Sequence, residues 1–214
     1  MVDRLQPVRP ALSPTLSFMA NNISTDVQEV AFAYITEPRE NLSGVLEWNI
    51  ALNVPVTSMQ QFEDAALEEI ADKQKAGKFP KPTPSGWNTP WKDSYKKEED
   101  GTKTKVDDHN LVVFKRKVER KMRGEIVRNN PPVIFDSLGQ KVPNPPRLGG
   151  GSKVKVIYQP YAYDTAVKGV QFQLVGLQIV ELKAPASEIS VAPVEGGWQA
   201  EREGIDELQA ILND

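Results

Sequence analysis

Residues 153–182 read KVKVIYQPYAYDTAVKGVQFQLVGLQIVEL, and the alternation of their apolar positions decides the fold class. In the first half Val154, Val156 and Tyr158 fall on one side of an extended chain, and Lys153, Lys155, Ile157, Tyr161 and Tyr163 on the other. Successive side chains of a strand point to opposite faces, so the first set reads as core and the second as surface. The second half, GVQFQLVGLQIVEL, is apolar on both sides. Gly176 sits where its alternation slips, which predicts a bulge or sharp bend in a closed sheet.

Upstream, QEVAFAYITEP (28–38) alternates Val30, Phe32, Tyr34 and Thr36 against Glu29, Ala31, Ala33 and Ile35, a strand expected to end at Pro38. RENLSG then turns the chain into GVLEWNIALNVP, where Leu46, Trp48, Ile50, Leu52 and Val54 share the core side. The period changes in TSMQQFEDAALEEIADKQKAG (57–77): Met59, Phe62, Ala66 and Ile70 recur at helical spacing and Leu67 widens the stripe. Thr57 or Ser58 can cap this helix and Gly77 can end it. Residues 78–110 are rich in Pro, Gly and charge, and read as a long loop of the functional or disordered kind. Strands resume with LVVFKRKV (111–118) and PPVIFD (131–136). The expected fold is therefore mostly β, a small Greek-key barrel with one inserted helix. It divides into an N-terminal extension (1–15), the barrel (16–183, with a first strand near 16–20) and an acidic tail (184–214).

A hydrophobic fraction of 39% in 214 residues supports one ordinary core. The absence of cysteine excludes disulfides and thiolate metal sites and suits a reducing compartment. No signal-length apolar run opens the chain, and nowhere do about 18 apolar residues run together, so a cytoplasmic protein without a membrane partner is expected. The net charge of -3 hides an asymmetry. Residues 73–155 carry 20 basic and 9 acidic side chains, or +11, while residues 195–214 carry 1 and 6, or -5. The middle of the chain is thus suited to a polyanion.

Groups for catalysis are scarce. The lone histidine, His109, follows Asp107 and Asp108, which could in principle ligate a hard metal, as in a nuclease, but which read more simply as a polar turn. With no cysteine, one histidine and no G-x-S-x-G context, a nucleophilic triad has little to be built from. RLGGGSK (147–153) lacks phosphate-loop spacing and leads into a strand. No enzyme activity and no cofactor are expected.

Binding groups are plentiful. LVVFKRKVERKMRG (111–124) holds six Lys or Arg and one aromatic. As a strand it puts Phe114 and Arg116 on one face, Lys115 and Lys117 on the other, so the core cannot cover all its cations. A strip with interleaved rings and cations suits an unpaired nucleic-acid strand, whose phosphates repeat regularly and whose bases offer flat faces. On KVKVIYQPYAY, Tyr161 and Tyr163 also suit a minor core under the loop, with Lys153 and Lys155 as solubility charges. The helix is acidic on its exposed side, which argues against duplex reading through a recognition helix.

The order of these features resembles the single-stranded DNA-binding proteins of tailed bacteriophages, of OB-fold type with an acidic C-terminal tail. The resemblance is carried by AYITEP to EWNIALNVP and the following helix, NTPWKDSYKKEEDG, PPVIFDSLGQKV, GGGSKVKVIYQPYAYD and KGVQFQLVGLQIVEL. It implies an OB-fold barrel that coats single-stranded DNA during phage replication and recombination, in the host cytoplasm. It also implies a possible homodimer and a tail that meets replication or recombination proteins. The chain ends in Ile211, Leu212, Asn213 and Asp214, without the terminal aromatic found in several such proteins.

Strand parity and charge then select the site. Lys115, Arg116, Lys117, Arg120, Lys121 and Arg123, with Lys153 and Lys155, are the expected phosphate contacts. Phe114, Tyr161 and Tyr163 are the expected stacking platforms. Trp91 and Lys92 either clamp the strand from outside or, for Trp91 together with Trp87, anchor the loop. In the tail, Glu201, Glu203, Asp206 and Glu207 can cover an empty basic groove, while Leu208, Ile211 and Leu212 can form part of an amphipathic helix on a partner. The rival expectation is a non-enzymatic assembly protein whose basic strip meets an acidic protein surface.

Overall fold

The computed structural model describes residues 22–81, 86–98, 100–122 and 124–185. The expected extension 1–15, the strand at 16–20, Arg123 and tail residues 186–214 lie outside them. The elements in chain order are β1 (Ile23–Ser24), β2 (Gln28–Glu40), β3 (Leu46–Pro55) and α1 (Gln60–Lys75). There follow β4 (Trp91–Lys97), β5 (Lys103–Lys117), β6 (Glu119–Met122), β7 (Glu125–Arg128), β8 (Val133–Phe135), β9 (Lys153–Asp164) and β10 (Lys168–Glu181).

Five of these strands close on themselves. β2 pairs antiparallel with β3, β3 with β5, and β10 with β9; β5 and β10 run parallel. The circuit shuts where β9 returns to β2 at Gln28↔Val154 and Glu29↔Lys153. A five-stranded Greek-key barrel of this kind is the OB-fold, so the mostly β class expected from sequence is the one observed. The bulge expected in the last strand falls between Leu174 and Gly176. Gly176 also lets β8 approach: a Cβ there would lie 2.4 Å from the Val133 carbonyl oxygen.

The barrel interior is centred on four rings. Phe62 of α1 lies 6.0–6.2 Å from Phe114, Tyr158 and Phe172, which themselves pack at 4.7–5.6 Å. Burying each such ring contributes about 1.5–3 kcal/mol. Val30, Trp48, Ile50, Leu52, Val54, Val112, Val154 and Val156 complete the core as their strand parity requires. The helix buries Phe62, Ala65, Ala66 and Ile70. Leu67, expected to widen the stripe, is exposed instead.

Local structure departs from expectation at three places. The helix opens from a 3-10 turn at Val56–Ser58, and Met59 at its N-cap makes no side-chain bond, so neither Thr57 nor Ser58 caps it. Gly77 (φ 68°) does end it: Gly77 N–H donates to Gln74 and Lys78 N–H to Lys73, which satisfies the last carbonyls in a Schellman turn. The segment expected to be loop up to residue 110 contains β4 and the first eight residues of β5, paired from Lys97↔Lys103 to Trp91↔Val112. Charged pairs such as Lys105 with Asp93 replace apolar alternation there, which hid the strands from a hydrophobic pattern.

The third departure is in β2. Its register shifts between Val30 and Phe32, so Val30 is buried, yet it is Ala33 and Ile35, not Phe32 and Tyr34, that continue the core side. One extra residue inverts the phase of everything after it. The strand also runs through Pro38 to Glu40.

Tyr158 reports on this interior. Burial pushes its phenol up to about 12, above the ordinary value of about 10 in an unfolded chain. Above pH ~10 the unfolded state loses this proton while the native state keeps it, so stability is present in full below pH ~10 and falls as pH rises toward 12. A spectrophotometric titration should show one tyrosine ionising only near or after alkaline unfolding. Five tyrosines titrating together in the native protein would contradict this packing.

Candidate functional site

The bulge in β2 decides what the barrel shows to solvent. With the phase inverted, Phe32 (36% exposed) and Tyr34 stand on the outer surface, their ring centroids 6.0 Å apart. The strand register then carries one row outward across five strands: Tyr34 opposite Asn49, Asn49 opposite Lys115, Lys115 beside Gln173, and Gln173 opposite Gln159. At about 4.8 Å between strands, this belt spans roughly 19 Å. It consists of an aromatic ring, three amides and an ammonium.

Beside the belt the β4–β5 hairpin makes a wall. A groove runs between Phe32 and Ala31 of β2 on one side and Ser94, Tyr95, Lys96 and Val106 of the hairpin on the other, with Asn53 and Leu111 at its floor. Tyr95 is 57% exposed there. Phe32, Tyr34 and Tyr95 were not among the sequence candidates. Phe32 and Tyr34 were concealed by the bulge, and Tyr95 by the apparent loop. The only sequence sign of Tyr95 was the WKDSYKK spacing, which puts Trp91, Asp93 and Tyr95 on alternate positions.

The expected phosphate contacts divide by their partners. Lys92, Lys115 and Lys117 carry no ion pair among the described residues, and Lys115 sits in the belt itself. Lys153 lines the groove but is paired with Glu181 at 3.2 Å; Lys155, half-buried, is two residues further along β9. Arg120 and Lys121 lie on β6, outside the barrel, in a two-stranded sheet with β7. Arg39, not a sequence candidate, lies over the Tyr34 ring at 5.0 Å and donates to its hydroxyl at 2.6 Å.

Two sequence assignments are corrected. Phe114 is 0% exposed and belongs to the four-ring centre, so it cannot stack on a ligand. Its face of β5 is the core face, because that face of the strand meets Phe62 of α1 inside the barrel. Arg116 shares that face and is half-buried, its Nη1 donating to the Leu174 carbonyl at 3.4 Å and its Nε without a partner. Burial, then the charge of Arg120, holds its pKa below the usual guanidinium value. It does not join Lys115 and Lys117 on the outer strip.

The remaining rings are separated. Tyr161 is 47% exposed, opposite Gln171 and two residues beyond Gln159, with Lys73 of α1 5.8 Å from its ring centre. It borders the far end of the belt, while Lys153 stands roughly 26 Å back along β9. Tyr163 is half-buried, its hydroxyl packed on Gly169. Trp91 is half-buried edge-on to Trp87 at 6.0 Å and packs on Phe172 at 6.3 Å, an anchor that ties β4 to the core. Lys92, the next residue, faces out opposite Leu111. His109 Nδ1 is 2.8 Å from Asp108, whose carboxyl is held low chiefly by that hydrogen bond. Among the described residues no three His, Cys, Asp or Glu side chains are grouped to hold a metal, and no helix is long and apolar enough to cross a membrane.

No protein-family model matches the chain. Over 53 residues it is 47% identical to the single-stranded DNA-binding proteins of Enterobacteria phage T3 and Escherichia phage T7. The match covers 23% of this chain and spans 23% of the length of those relatives. Among solved structures, gp2.5, a single-stranded DNA-binding protein of bacteriophage T7, is similar with a TM-score of 0.53 at 23% identity, over 84% of this chain and 98% of that one. The single-stranded DNA-binding protein of bacteriophage Enc34 in complex with ssDNA gives 0.51 at 11% identity, over 79% and 91%. The resemblance to phage single-stranded DNA-binding proteins expected from the sequence is thus met in both comparisons, and the fold is shared with them, while the expected acidic tail lies outside the described residues.

Arg116→Met tests the position of that side chain. An incompletely paired, half-buried charge is replaced by an apolar group of similar length, so stability in urea should be unchanged or higher by about 1 kcal/mol. A loss of more than about 1 kcal/mol would mean that the guanidinium holds the barrel end together.

Proposed function

We propose that the chain binds single-stranded DNA with little sequence preference, along the outer belt and the groove beside it, and without chemical turnover. The observation that carries this reading is the placement of Phe32, Tyr34 and Tyr95 on the same solvent face as Lys92, Lys115 and Lys117. Rings supply stacking of about 1–3 kcal/mol per base, whatever the base, and cations release counterions from phosphates. The amides of Gln159 and Gln173 can bond to base edges or sugar without selecting one base. Support comes also from the OB-fold, whose second and third barrel strands, here β3 and β5, commonly form the oligonucleotide face. The phage proteins of similar fold bind single-stranded DNA by their names. Replication and recombination of phage DNA in a host cytoplasm is the setting this reading implies.

Fluorescence titration with oligo-dT at several salt concentrations tests it. Binding should weaken steeply with salt, and Lys115→Ala should reduce the log–log slope by about 0.7. Phe32→Ala or Tyr95→Ala should weaken binding about five- to 150-fold with the slope kept. Absence of any response to oligo-dT would remove the reading and favour an acidic protein surface as the partner.

The acidic residues 195–214, at 1 basic and 6 acidic side chains, are proposed to compete with DNA for the same cations and to contact replication or recombination proteins. Deleting them should tighten oligo-dT binding, most at low salt. Equal affinity with and without them would leave only the recruiting role, and a dimer that persists after the deletion would place its contacts elsewhere.

A further inference from the structure

β6 and β7 form a two-stranded sheet apart from the barrel. Its base is fixed: Val118 is buried and its N–H donates to Leu46, while Asn129 donates to Val118 and, through Nδ2, to Lys117. From there four residue pairs, Glu119↔Arg128 to Met122↔Glu125, project about 13 Å as an arm. A lone two-stranded ribbon is marginal in water and gains from a partner.

Arg120 and Arg128 stand toward its base and Lys121 level with Ile126, none of them in an ion pair among the described residues. Near the tip, Ile126 is 73% and Met122 48% exposed. Cross-strand partners share a face, so Ile126 lies with Lys121 on one face and Met122 with Glu125 on the other. A ribbon apolar at its end on both faces is poorly matched to one flat protein surface, which would cover a single face. It is matched to a slot between two flat planes, flanked by negative charge. The step between stacked base pairs is such a slot, and apolar wedges in cationic surroundings are a known way of opening one.

We propose that the β6–β7 arm is a second nucleic-acid contact, in which Met122 and Ile126 enter the base stack at a junction between single-stranded and duplex DNA. The arm follows β5 directly in the chain, after Lys115 and Lys117. The terminal pair of a duplex stacks on one side only and is the least costly to open. This inference rests on the reading of the belt for its class of ligand.

The test uses the full chain and the double variant M122S/I126S, whose changed side chains lie outside the core. Each is titrated with oligo-dT and with a DNA hairpin bearing a dT overhang and 2-aminopurine in its terminal pair. The unaltered chain should bind the junction about tenfold more tightly than oligo-dT and brighten 2-aminopurine. The variant should keep oligo-dT affinity within about twofold and lose both junction effects. Equal junction binding and brightening by the variant would overturn the wedge, as would a dark 2-aminopurine with the unaltered chain. A variant that binds DNA normally but sediments as a smaller species would assign the arm to contact between copies instead. Junction binding without oligo-dT binding would remove the belt reading and leave the arm standing; binding to neither probe would remove both.

Discussion

The structure depends on four rings that meet inside the barrel. Phe62 arrives from a helix inserted between strands, while Phe114, Tyr158 and Phe172 come from three different barrel strands. Tyr158 and Phe172 meet within the β9–β10 hairpin, but Phe62 and Phe114 come from distant parts of the chain, so no single hairpin can form this centre alone. The parallel pairing at Phe172↔Phe114 brings two of the rings directly together and also completes the circuit of strands. Interior packing and sheet closure are therefore one event, and the ring positions facing inward leave none of those aromatics for a ligand.

That division also bears on the surface. A sheet whose inner face is filled by alternate residues shows the others to solvent, and a change of phase moves residues of the inner series outside. β2 does this with one residue at Ala31, between a buried Val30 and an exposed Phe32. The bulge costs a ladder hydrogen bond and supplies two outward rings beside the amide and lysine row of β3, β5, β10 and β9. The placement of Lys115 follows from the same strand that contributes Phe114 to the core: neighbouring residues serve opposite faces of one sheet.

Much of this was legible in the sequence where burial enforces a period. The core sides of β3 and β9 are those the alternation predicts, Tyr158 and Trp48 are interior, and Gly176 marks its bulge. The site was less legible because its signals are not hydrophobic. β4 and the start of β5 are held by polar cross-strand pairs and read as a loop. Phe32 and Tyr34 looked like partners of Val30 because a bulge leaves no mark in composition. Phe114, beside three cations, looked like part of a strip, although parity alone puts it opposite Lys115. Its burial required knowing which face of β5 meets the helix, and that is a tertiary fact.

Net charge is a poor guide to such a surface. At physiological salt, charges more than about 8 Å apart are largely screened, so the state of each cation depends on its immediate neighbours. Lys105 is held by Asp93, Lys153 by Glu181 and Lys168 by Asp164. These pairs are partly exposed and contribute little stability, but they withdraw three cations from any incoming anion. Lys92, Lys115 and Lys117 have no such partner among the described residues, and they lie where the outward rings are. Pairing thus takes up Lys105, Lys153 and Lys168 and leaves Lys92, Lys115 and Lys117 without an ion pair among the described residues, whatever the net charge of the chain.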